Sequence, residues 1–102
     1  MRLYAIKELN RDMYVNQIGK LGLLDSTTEL FSSKEKAQRC IDGMINESTG
    51  IRKSRLKEEI VWSLIEEATG QPRWEVDINM KEYYHFSDSV DLKVVEVELN
   101  EL

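Results

Sequence analysis

A chain of 102 residues with a net charge of −5, 41% apolar and 32% charged, has room for one domain, residues 1–102, and not for two. Its single cysteine, Cys40, excludes an intramolecular disulfide and a cysteine-based zinc site. No apolar run nears the roughly eighteen residues of a membrane span, and residues 1–8 meet charges too early for a secretory leader, so a cytoplasmic location and no membrane partner are expected.

In chain order, residues 2–9 alternate as a strand, with Leu3, Ala5 and Lys7 on one face and Tyr4 and Ile6 on the other. Asn10, Arg11 and Asp12 supply a turn, and residues 13–18 form a second strand closed by Gly19 and Lys20. A third, weaker strand is expected between Leu21 and Phe31, broken around Asp25–Thr28. Ser32 and Glu35 then match a capping box, and Ala37, Cys40, Ile41, Met44 and Ile45 make one apolar stripe of a helix stopping near Gly50. A second helix is expected from Ser54 to Thr69 on the stripe Leu56, Ile60, Val61, Leu64, Ile65 and Ala68, ended by Gly70 and Pro72. The alternative over 60–65 is a strand of a hairpin turning through Thr69–Gln71, disfavoured because alternation there is poor.

Trp74, Val76, Ile78 and Met80 alternate with Glu75, Asp77, Asn79 and Lys81, which predicts a half-buried strand with one charged face. Continuing that alternation sets Tyr83 and His85 on one side and Tyr84 and Phe86 on the other. Residues 90–99 form the last strand, whose apolar phase shifts at Val94 and Val95; a bulge or burial on both faces would explain the shift. The expected fold is α+β, two-layer, with an antiparallel sheet of four to five short strands and two helices packed on one face.

Catalytic and metal-binding chemistry find little purchase. Cys40 lies on an apolar helix stripe without a cationic neighbour, and His85, the only histidine, sits in an aromatic run with no acid or nucleophile spaced to it. Glu58, Glu59, Glu66 and Glu67 on a helix are the pattern of a solvated face. Asp88, Ser89 and Asp91 form a fragment of a calcium loop lacking its glycine and terminal glutamate. No phosphate loop or dinucleotide fingerprint occurs, so no enzyme, metal or cofactor is expected.

Charge carries more. Residues 51–102 hold 12 acidic against 7 basic side chains and so account for the whole net charge. Glu75, Asp77, Glu82, Asp88 and Asp91, with Tyr83 and Tyr84, are the candidate partner-binding residues, because an acidic face bearing aromatic rings suits a basic protein. On a strand, Glu75 and Asp77 would lie about 7 Å apart, near the spacing of successive phosphates. The opposite cluster, Arg52, Lys53, Arg55 and Lys57, is the candidate for direct nucleic-acid contact, weakened by the lack of an aromatic platform.

The hairpin Leu3–Leu9 and Tyr14–Ile18 with Gly19 and Lys20, the helix-opening segment Glu29–Ala37, and the closing Leu92–Leu99 resemble small accessory proteins of phages and prophages of Gram-positive bacteria. The likeness covers roughly the first half and the last strand, and 50–90 matches no member. It implies a protein that binds a host factor, in the manner of anti-CRISPR proteins, some of which present carboxylates where DNA phosphates would lie. No motif is shared across those families, so the resemblance assigns no site residue. The expected function is thus a non-catalytic inhibitor of a host defence nuclease. The alternatives are a direct nucleic-acid binder and a self-associating structural component, a homodimer through an edge strand and Tyr83–Phe86.

Overall fold

The computed structural model describes residues 2–45, 52–53, 55–98 and 100. The elements run β1 (Leu3–Glu8), β2 (Met13–Val15), β3 (Leu21–Gly22), α1 (Lys34–Asp42), β4 (Met44–Ile45), β5 (Arg52–Lys53), α2 (Arg55–Thr69), α3 (Met80–Asp88) and β6 (Leu92–Val97). Among the described residues an antiparallel sheet in the order β3-β2-β1-β6 is joined by three helices, with β4 and β5 forming a separate pair. The class is α+β, with one helix more than the pattern predicts.

The first and last strands make the frame. β1 and β6 pair over six residues in one register, from Leu3 opposite Val97 to Glu8 opposite Leu92. There is no bulge at Val94 and Val95. Both are partly buried although they point to opposite faces, so coverage of both faces explains the phase shift. On one face Ile6 joins Val15, Ala37 of α1, Ile60, Val61 and Ile65 of α2, and Val90 in a single core cluster. On the other, Ala5 and Val97 are also buried.

Local chemistry sets the connections. Asn16 accepts from the N–H groups of Ile18 and Lys20 at 3.1 and 2.9 Å, and Gly19 takes a positive φ of 77°, closing the β2–β3 turn. Thr28 is buried, donating to the Leu23 carbonyl and pairing with Asn16, while Phe31 bridges Tyr4.

Two predicted elements end or begin elsewhere. α1 is capped by Ser33, not Ser32: Ser33 accepts from the Lys36 N–H at 3.2 Å, while the Ser32 hydroxyl meets the Lys36 ammonium at 3.1 Å. With the cap one residue later, Glu35 no longer stands at the box position. The helix also stops at Gly43 (φ 71°), whose N–H bonds to the Arg39 carbonyl. Met44 and Ile45 therefore leave the stripe and pair with β5; the expected stop at Gly50 lies outside the described residues. α2 has the predicted extent to Thr69, closed by Gly70 at φ 68°, and the hairpin alternative falls. Its expected start at Ser54 lies outside the described residues.

The larger correction concerns residues 74–88. Residues 73–75 form a turn in which the Glu75 N–H reaches the Pro72 carbonyl at 2.9 Å, residues 76–79 pair with no strand among the described residues, and a helix opens at Met80. Asn79 is its cap, accepting from the Glu82 N–H at 2.9 Å while its amide donates to the Glu82 carboxylate at 3.0 Å. A strand here would leave Trp74 and Met80 no core to meet, whereas the cap satisfies orphan N–H groups at once.

Candidate interaction surface

The surface built by residues 73–84 rests on α2. Val76 and Ile78 turn inward against the core, while Trp74 and Met80, which the alternation puts on the same buried face, are 84% and 62% exposed. Tyr83 and Phe86, three apart on α3, face the core, and Tyr84 and His85 face outward, with Tyr84 54% exposed. The strand pairing of Tyr83 with His85 and Tyr84 with Phe86 is thereby replaced by helical spacing.

Three devices fix α3. At its start is the Asn79 cap. Along its length, the Tyr83 ring lies 5.6 Å from that of Trp62 on α2, tilted by 48°, and 5.9 Å from Tyr84. At its end, Ser89 donates to the Phe86 carbonyl and receives the Arg11 guanidinium on its hydroxyl at 2.8 Å and on its carbonyl at 3.1 Å. Arg11 in turn pairs at 3.1 Å with Glu8, a fully buried carboxylate that also accepts from the N–H groups of Asn10, Arg11 and Asp91. Glu8 carries no signal as a charge, but it is in phase with Tyr4 and Ile6 on β1, and that phase marks it as an acid on the core face.

The acidic residues fall into two groups. Glu75 and Asp77 are exposed on the loop, with Glu82 exposed in the first turn of α3, close in sequence to Trp74, Met80 and Tyr84. Asp88 and Asp91 are exposed at the other end of the helix, about 9 Å along its axis from Glu82 to Asp88. The strand geometry that would set Glu75 and Asp77 at a phosphate repeat is absent.

Arg73 connects the loop to α2. Its guanidinium lies 4.7 Å from the centre of the Trp62 ring and 3.5 and 3.8 Å from the carboxylates of Glu58 and Glu59. Burial raises the Tyr83 phenol above its ordinary pKa, and Glu58 pushes the same way while Arg73 opposes. Beside this group lies a hollow of about 110 Å³ reaching Ile18 and Lys20. A larger open cleft of about 1020 Å³ runs from there between the β2–β3 hairpin and the C-terminal half of α2, with both signs of charge, Arg11 and Lys20 against Glu66 and Glu67, on its walls.

The basic cluster is divided between elements. Arg52 and Lys53 lie in β5, whereas Arg55 is exposed and Lys57 half-buried in the first turn of α2. Glu58 follows them in that turn, and its carboxylate suits the positive end of the helix dipole as theirs does not.

Among the described residues no three His, Cys, Asp or Glu side chains gather to hold a metal ion, and no helix is long and apolar enough to cross a membrane. Cys40 is partly buried, and burial, reinforced by Glu29, raises its thiol above the ordinary value, away from a reactive thiolate. His85 stands edge-on to Phe86. No protein-family model, curated protein or solved structure matches the chain.

Proposed function

We propose that this chain is a non-catalytic binding protein that docks on a basic protein surface through residues 73–84. The observation that carries this reading is the outward display of Trp74, Met80 and Tyr84 on a stretch that also exposes Glu75, Asp77 and Glu82. Large apolar side chains left in water contribute nothing to the core, and aromatic anchors ringed by charge are the composition of interface hot spots. The carboxylates select a basic partner and speed encounter, while the rings supply the short-range contacts.

In its most specific form, following the likeness to phage accessory proteins, the partner is a guide-loaded host defence nuclease, and the acidic face occupies ground that nucleic acid would take. The carboxylates then act as a diffuse negative surface, not as a phosphate ladder. The test is binding of the tagged protein to a panel of purified, guide-loaded CRISPR nucleases at low and high salt. A Glu75→Lys/Asp77→Lys/Glu82→Lys variant runs alongside. Salt-sensitive binding by the wild type, lost in the variant and competed by target DNA, supports the reading. Binding that survives charge reversal would sink it.

A further inference from the structure

We infer that the notch formed by Trp62, Tyr83, Glu58 and Glu59 is a guanidinium site, filled in the free protein by the chain's own Arg73 and taken on binding by an arginine of the basic partner. This rests on the reading above and names the anchor through which the partner is held.

The site is assembled from one face of α2 and one residue of α3. Glu58 and Glu59 stand four and three positions before Trp62, so both carboxylates lie one helical turn from the indole. Tyr83 closes a second side at 5.6 Å. A flat cation over an indole face, with carboxylates at its edge, is the arrangement that favours guanidinium over ammonium, because the planar group stacks and forks at once.

Arg73 is a loose occupant. Its nitrogens stand 3.5 and 3.8 Å from the carboxylates, longer than charge-assisted hydrogen bonds, and 45% of its side chain is exposed. Such surface pairs contribute little, so exchange with another guanidinium is close to neutral. The hollow of about 110 Å³ beside Arg73, walled by Trp62, Glu59, Glu66 and Ile18 with one further cation, Lys20, against two carboxylates, leaves room for an entering side chain. Arg73 also directly precedes Trp74, the most exposed ring of the binding face, so its departure is felt where the partner lands.

The test titrates octa-arginine and octa-lysine peptides, equal in charge, into the unaltered protein, and follows the Trp62 indole N–H by NMR. The acidic face alone gives arginine at most the general advantage of its fork on carboxylates and exposed rings, which substitutions in the notch do not move. The guanidinium site predicts a further preference for arginine of roughly 2–5-fold that depends on the notch residues. Removing Arg73's charge strengthens both peptides, so the ratio is the readout: Arg73→Ala widens the arginine preference, and the exposed pair Glu58→Gln/Glu59→Gln narrows it without touching the core. An arginine-to-lysine ratio that neither Arg73→Ala nor Glu58→Gln/Glu59→Gln moves overturns the guanidinium site and leaves the acidic face standing. Binding of neither peptide overturns both.

Discussion

The β1–β6 frame and the 73–84 surface treat similar side chains in opposite ways. In the frame Ile6 is buried against Ile60 and Ile65, and even the carboxylate of Glu8 is sealed behind a full set of donors. On the surface the largest ring in the stretch, Trp74, stands in water on a turn stabilised by a few local hydrogen bonds. The first region is organised to fold, and the second divides its side chains, with Val76, Ile78 and Tyr83 packed on the core and Trp74, Met80 and Tyr84 turned out.

The comparison breaks most directly on core against display. Ile65→Ala is expected to cost about 2–5 kcal/mol by lost transfer energy and cavity formation, whereas Trp74→Ala should change stability by no more than about 0.5 kcal/mol. Urea unfolding measures both, and a Trp74 effect as large as that of Ile65 would show that the surface belongs to the core. Next in size is the buried latch. Glu8→Ala leaves three backbone N–H groups without their acceptor and Arg11 with Ser89 but no carboxylate, and should cost about 2–4 kcal/mol, less than a fully buried pair because Arg11 also keeps some solvent. Its unfolding midpoint should fall with the m-value unchanged.

Much of the fold was legible because periodicity and burial agree in the frame. The alternation of β1, the 3.6-residue stripe of α2 and the Gly70–Pro72 stop all act on residues that enter the core. Residues 74–80 misled for the opposite reason. Their apolar positions alternate with charges, but only Val76 and Ile78 turn to the core, so a period of two arose from a turn and loop with exposed ends. The signal that would have corrected it is Asn79 with Glu82 three residues on, an N-cap with its reciprocal acid. The acids of the candidate surface were visible by composition. Arg73 on Trp62 was not, since a contact between a loop and a helix eleven residues earlier has no periodic trace.

Smaller effects sharpen the account. Asn79→Ala should cost about 1 kcal/mol and fray the first turn of α3, detected as faster amide exchange at residues 81–83 with the frame unchanged. Smallest is Asp25, whose carboxyl is held below its ordinary pKa by hydrogen bonds from the Thr27 hydroxyl and N–H. A depressed native pKa contributes stability above the unfolded value and loses it as pH falls through the native one. Thr27→Val should therefore move the Asp25 titration upward toward the ordinary carboxylate range in an NMR titration. An unshifted Asp25 would remove the hydroxyl from that turn.

The most direct test of the central claim is amide hydrogen exchange on the protein alone and in complex with a nuclease that captures it. The account predicts slowed exchange confined to residues 73–84 and the facing turn of α2 around Glu58–Trp62. Slowed exchange at residues 52–57 with 73–84 unchanged would contradict it, and would transfer the binding role to Arg52, Lys53, Arg55 and Lys57.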